Sequence, residues 1–76
     1  MRLSNAIKKG EKKYWGCAHV RRNPSAPNEW FIMLLGKKHI PLMLVDDNES
    51  PIVSEDLNEF NDVFKQLGIR EFTVYL

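Results

Sequence analysis

The sequence contains a single cysteine, Cys17, among its 76 residues, so no disulfide can form within one chain. Its longest apolar run, Trp30 to Leu35, has six residues, whereas a membrane-spanning helix needs about 20. The first ten residues include basic side chains but lack the apolar centre of a secretory signal. These absences predict a protein of a reducing, cytoplasmic environment that contacts no membrane.

Residues suited to catalysis or metal binding are equally scarce. Cys17 and His19 are two apart on a predicted strand, which places them on one face about 6–7 Å apart. A thiol beside an imidazole can form a nucleophile or a metal site, but the only other soft ligand is His39, and no orienting group is signalled. Free cysteine mostly packs as a small hydrophobe. We therefore expect no enzymatic activity, cofactor, metal or small-molecule substrate.

The length of the chain predicts one domain, residues 1–76, with a thin margin of stability. A chain of this size buries only about 60% of the surface that its unfolded form exposes. Its composition, 43% hydrophobic and 28% charged, is that of an ordinary globular protein. Oligomerisation is a common supplement to so small a core.

The apolar pattern predicts six elements in the order α-β-β-β-α-β. A short helix begins at Ser4 and ends at Gly10. An amphipathic helix, capped by Ser54 and ended by Gly68, has the apolar stripe Leu57, Phe60, Phe64 and Leu67. Strands are predicted over residues 12–22, 29–35, 39–45 and 70–76.

These elements predict an α+β fold with a four-stranded mixed sheet. Pro41 cannot donate a hydrogen bond to a neighbouring strand, so the third strand is expected at a sheet edge. A right-handed crossover through the amphipathic helix makes the last strand parallel to the third. The predicted strand order is 4-1-2-3, with the amphipathic helix covering one face.

The two faces of this sheet differ in what they offer a partner. Gly16 and Ala18 leave room for a helix, so their side is the predicted core. That side would hold Gly16, Ala18, Val20, Trp30 or Phe31, Ile32, Leu34, Ile40, Leu42, Leu44, Phe72, Val74 and Leu76. The opposite side would show Trp15, Cys17, His19, Met33, Leu35, Met43, Val45 and Tyr75.

The second face is too apolar to stay in contact with water unless the N-terminal helix folds back over it. Methionine and aromatic residues are typical of adaptable protein-contact surfaces. We therefore predict a small non-enzymatic interaction or regulatory module. Its partner would be a protein or a second copy, with homodimerisation through this face or a free strand edge. The predicted contact residues are Trp15, Met33, Met43 and Tyr75.

Charge along the chain suggests an alternative, nucleic-acid binding. Residues 1–38 have a net charge of +7 and residues 39–76 a net charge of −6, a division that also favours self-association. Lys/Arg side chains near aromatic residues are the pattern with which proteins bind phosphates and exposed bases. The predicted site consists of Lys12, Lys13, Arg21, Arg22, Lys37 and Lys38, with Trp15 as a stacking residue. The acids Glu55, Asp56, Glu59 and Asp62 are expected on the solvent side of the amphipathic helix.

Overall fold

In the computed structural model, which describes all 76 residues, two helices pack against a five-stranded mixed sheet. In chain order the elements are α1 (Leu3–Glu11), β1 (Trp15–Asn23), β2 (Ala26–Gly36), β3 (Pro41–Met43), β4 (Val53–Ser54), α2 (Phe60–Leu67) and β5 (Phe72–Tyr75). A 3-10 turn, Leu57–Glu59, leads into α2. The predicted α+β class is confirmed.

The main path of the sheet, β3-β2-β1-β5, confirms the predicted strand order. β1 and β2 form an antiparallel hairpin, and β5 joins β1 in parallel. β3 and the short β4 lie along different parts of β2, and both are antiparallel to it. Pro41 begins β3 at the sheet edge, as its missing N–H predicts. β4 was not predicted, because two residues are too few to show an alternating pattern.

Both helices pack on the same face of the sheet. The core residues are Ala6, Trp15, Ala18, Val20, Trp30, Ile32, Leu34, Leu44, Phe60, Phe64, Leu67 and Ile69. The indole N–H of Trp15 donates a hydrogen bond of 2.8 Å to the Ala6 carbonyl, which fastens α1 to β1 inside the core. α1 therefore does not fold over the opposite face, and the sheet is covered by helices on one side only.

A β-bulge at Gly16 changes the alternation at the start of β1. Trp15 pairs with Gly36 and Cys17 pairs with Leu35, so Gly16 is the extra residue. Trp15 consequently lies on the same side as the core, where it is only 8% exposed. The prediction that Trp15 lies on the second face is wrong, because strict alternation does not continue through a bulge. Gly16, which was expected in the core, is exposed.

Three apolar residues that were predicted for the core lie outside it. Ile40, in the turn before β3, is 59% exposed, and Leu76, just beyond β5, is 93% exposed. Phe72 stacks on Phe64 with ring centroids 4.6 Å apart, yet 38% of its surface stays accessible. All three lie at the ends or the edge of the sheet, where no neighbouring strand covers them.

The ends of α1 differ from the prediction. The helix begins after Arg2, and the Ser4 hydroxyl donates to Asp47 over 2.9 Å instead of capping the helix. Gly10 does not end the helix but lies inside it, against the Leu67 carbonyl, where a Cβ would overlap that group. Gly10 thus allows α1 and α2 to approach closely, and α1 continues to Glu11.

The start of α2 also differs from the prediction, whereas the apolar stripe and the C-terminal end of the predicted amphipathic helix are confirmed. The 3-10 turn before α2 is capped by Asp56, whose carboxylate accepts a 2.9 Å hydrogen bond from the Asn58 N–H. Ser54 lies earlier, in β4, and its hydroxyl donates to the Glu59 carboxylate over 2.7 Å. Phe60, Phe64 and Leu67 are buried. Gly68 ends the helix in the left-handed conformation, with φ 73°.

Candidate interaction surfaces

The face of the sheet opposite the helices has no layer over it. The strand registers place on it Cys17, His19, Arg21, Phe31, Met33, Leu35, Pro41, Met43, Val53, Thr73 and Tyr75, which we name the open face. Every one of them is half-buried or exposed. Of the predicted contact residues, Met33, Met43 and Tyr75 lie here, as expected, and Trp15 does not.

The middle of the open face is apolar and continuous. Met33 pairs with His19 on one side and with Met43 on the other, and Leu35 pairs with Cys17. Directly opposed side chains have Cβ atoms about 5 Å apart, so these residues touch across the strands. Met43 is 39% exposed. The result is a patch of sulfur, hydrocarbon and imidazole groups spanning β1, β2 and β3.

The β5 side of the open face is formed by a cation and two rings. The Arg21 guanidinium lies 4.2 Å from the centroid of the Tyr75 ring. The His19 ring meets the same tyrosine edge-on, with 5.0 Å between centroids. Arg21 is the only formally charged residue of the open face, and it is held against an aromatic ring.

β5 adds a free strand edge to this side of the molecule. It pairs only with β1, so its outer backbone has no neighbour. Its sequence, Phe72–Tyr75, has no charge and no proline, although natural edge strands commonly carry one or the other to prevent pairing. Tyr75 is 40% exposed. This edge is chemically compatible with a further strand.

A second surface lies where α1 ends and where β2 turns back toward β3. It consists of Lys8, Lys9, Lys12, Lys13, Lys37 and Lys38, which we name the lysine cluster. Tyr14 lies among them and lines three adjoining depressions with Lys8, Lys9, Lys12, Lys13, Lys37 and Lys38 as neighbours. The Lys9 ammonium lies 4.5 Å from the centroid of the Tyr14 ring. The structure contains one salt bridge, Arg2–Glu49, and none of these lysines takes part in it.

The residues predicted to bind nucleic acid therefore do not form one site. Lys12, Lys13, Lys37 and Lys38 belong to the lysine cluster, whereas Arg21 and Arg22 lie about 20 Å away at the other end of β1, given about 3.3 Å per residue. Arg22 donates to the Pro27 carbonyl over 2.8 Å and lies 4.5 Å from the Trp30 ring centroid.

Three further residues belong to this surface. The sequence groups Lys8 and Lys9 with the other cations around Tyr14, but the predicted site leaves these three out. Lys8 and Lys9 lie in the last turn of α1, and Tyr14 follows the end of that helix by three residues.

Groups that could act in catalysis are not assembled into a site. Cys17 and His19 share the open face, but the His19 ring packs against Tyr75, and the Cys17 thiol is free. No group of three or more His, Cys, Asp or Glu side chains is placed to hold a metal ion. Neither α1 nor α2 is long and apolar enough to cross a membrane.

The open face and the lysine cluster are the two candidate interaction surfaces of the molecule. One is nearly uncharged and apolar, and the other is densely cationic and lies at one end. No protein-family model matches the chain, and no curated protein or solved structure is significantly similar to it.

Proposed function

We propose that this chain is a non-enzymatic interaction module that binds protein through its open face, and that its partner is a second copy of itself. The supporting observation is that α1 and α2 both pack on one side of the sheet and leave the apolar opposite side uncovered. Stable domains bury each apolar sheet face against another layer. A second open face would supply that layer.

The charge of the open face favours an identical partner. Arg21, its only formal charge, lies against Tyr75, so two copies can approach with little repulsion. A twofold contact places the same patch on both partners, and an apolar patch with a single charge at its side can match a second copy of itself. The contact would centre on Met33 and Met43, whose flexible side chains adapt to one another.

The size of the chain also favours self-association. A standard interface buries about 800 Å² of each partner, which is about 15% of the 5209 Å² that this chain exposes. Small domains gain proportionally more from such burial because their own cores are limited. The uncharged edge of β5 adjoins the open face and enlarges the available contact.

Met33→Glu is expected to weaken self-association by at least about 100-fold, equivalent to about 2.8 kcal/mol. A carboxylate at the centre of two apolar faces would lose its contact with water, and the nearest polar groups, His19 and Arg21, are already packed against Tyr75. In the separate chain Met33 is only half-buried, so the domain itself should stay folded. Sedimentation velocity over a range of protein concentrations measures the effect.

Ile40→Glu is the matched control. It introduces the same charge at an exposed apolar residue beside Met1 and Lys9, on the α1 side of the molecule. The variant should associate as the unmodified chain does. An unmodified chain that stays monomeric at high concentration, or equal losses in both variants, contradicts a contact through the open face.

Cys17 provides a second, chemical measure of the same contact. Its free thiol is half-buried on the open face beside Leu35. If two open faces meet, the rate at which a thiol reagent modifies Cys17 should fall in proportion to the dimer fraction. In Met33→Glu the rate should stay at the monomer value. A dimer whose Cys17 reacts as fast as the monomer would place the contact elsewhere, with the β5 edge as the next surface to test.

A regulatory role in a reducing, cytoplasmic compartment belongs to the same proposal. It is supported by the single cysteine, a half-buried free thiol on the open face, because reducing conditions preserve such a thiol.

A further inference from the structure

We infer that the lysine cluster is a separate binding site whose ligand is the phosphate backbone of a nucleic acid. It combines the C-terminal part of α1 with the turn between β2 and β3. It shares no residue with the open face, so the inference does not depend on self-association.

The cluster concentrates positive charge without neutralising it. All six lysines are exposed, and Glu11 is the only acidic residue within the segment 8–13 that carries four of them. None of the six takes part in a salt bridge. An ordinary solvated surface intersperses both signs of charge, whereas grouped cations create a potential that attracts a polyanion.

The lysines line a groove with Tyr14 in its floor. A depression of about 250 Å³ is bounded by Lys8, Lys9 and Lys12 from the α1 side and by Lys37 from the turn after β2. A neighbouring depression, also lined by Tyr14, continues past Lys13 to His39. A positively charged groove of this kind can follow a nucleic-acid backbone.

The position of Tyr14 indicates contact with phosphates instead of bases. The Lys9 ammonium lies over the ring, and the ring itself lies against Gly36, where a Cβ would overlap it. Tyr14 is therefore packed between protein groups and is not a free stacking platform. Phosphate contacts fix position but carry no sequence information, so binding should be independent of sequence.

The shape of the cluster argues against a membrane as its ligand. A lipid surface is held by protruding apolar side chains together with basic residues. Ile40 is the one large exposed apolar residue beside the cluster. The aromatic residue of the cluster lies in the recess and does not protrude.

Fluorescence anisotropy with short labelled DNA and RNA, single-stranded and duplex, tests this site. We expect binding of all four, with the logarithm of the association constant falling linearly against the logarithm of salt over about 50–200 mM. The double variant Lys9→Gln/Lys37→Gln should weaken binding of every sequence alike. It should also reduce the magnitude of the salt slope on duplex DNA by about 2, since each lost phosphate contact removes about 0.9.

The double variant Arg22→Gln/Lys65→Gln is the matched control, because it removes the same charge from two exposed residues that belong to neither the lysine cluster nor the open face. It should keep the affinity and the salt slope of the unmodified chain. Circular dichroism of each variant confirms that the fold is retained. Equal losses in the two double variants would overturn the proposal, because they would show a response to net charge alone.

Two further outcomes would also overturn it. The first is no binding of DNA or RNA at low salt. The second is binding only to vesicles containing anionic lipid, or only to poly-glutamate, which would assign the lysine cluster to a membrane surface or to an acidic polypeptide.

Discussion

Trp15→Ala is expected to destabilise the domain by about 3–5 kcal/mol, the usual cost of removing a large aromatic side chain from a core. Trp15 is 8% exposed, and its indole N–H donates to the Ala6 carbonyl, so the change removes both packing and the bond between β1 and α1. A chain of this length has a total stability of roughly 4–11 kcal/mol. Much of the fold should therefore be lost, as urea unfolding followed by circular dichroism would show.

Two companion variants separate the contributions at this site. Trp15→Phe keeps most of the apolar volume but leaves the Ala6 carbonyl without its partner, at a cost of about 1–3 kcal/mol. Tyr75→Ala removes an aromatic ring that is 40% exposed and should cost clearly less than Trp15→Ala. If Trp15→Ala were no more destabilising than Tyr75→Ala, Trp15 would lie on the open face and the bulge at Gly16 would be wrong.

Gly10→Ala is expected to destabilise the domain by about 1–3 kcal/mol, the range for overpacking a well-packed contact. In an exposed helix interior the same change stabilises by up to about 1 kcal/mol, so even the sign of the effect is informative. A Cβ at Gly10 would overlap the Leu67 carbonyl. The Cβ is fixed to the backbone of α1 and the carbonyl belongs to the backbone of α2, so neither can rotate away, and only a separation of α1 from α2 relieves the overlap.

Gly16→Ala is the control for a glycine without such a neighbour. The nearest atom to its added Cβ would be the Leu35 carbonyl oxygen at 3.7 Å, an ordinary contact distance. We expect a change within about 1 kcal/mol. The midpoints of thermal unfolding compare the two variants directly, and a Gly10→Ala protein at least as stable as the unmodified chain would contradict the close contact of the helices.

The parts of the fold that follow from local signals could be predicted from the sequence. Pro41 lacks an N–H, and that alone places its strand at an edge. The stripe through Phe60, Phe64 and Leu67 and the stop at Gly68 are properties of one helix and need no knowledge of its neighbours. With the third strand at one edge, the last strand, which a crossover makes parallel to the third and the first, is left to pair with the free side of the first strand, and this gives the strand order.

The positions that depend on a neighbouring element could not be predicted. Whether Gly16 continues the alternation or forms a bulge is decided by the register of β2 against β1. Because of that single extra residue, Trp15 lies in the core and not in the predicted protein-contact surface or the predicted nucleic-acid site. Gly10 is likewise a residue type that commonly ends helices. Its role inside α1 depends on its contact with Leu67, which belongs to another element.

The lysine cluster shows that basic residues close in sequence need not lie close together in the fold. Lys13 and Arg21 are close in sequence, yet an extended strand carries them to opposite ends of the molecule. Lys37 reaches Lys12 only because the β1–β2 hairpin returns the chain to its starting end. Predicting which basic residues form one surface therefore requires the sheet topology as well as the composition.

The central position of β1 also sets the order in which the sheet can assemble. Val20 pairs with Ile32 across a short hairpin, and with Val74, which lies 54 positions farther along the chain. Closing the longer loop costs more entropy, so the hairpin should form early and β5 should dock late. During that interval the free side of β1 can accept the uncharged β5 of another molecule, which would give a domain-swapped dimer. The concentration during refolding, and not only the concentration of folded protein, should then influence which assembly is obtained.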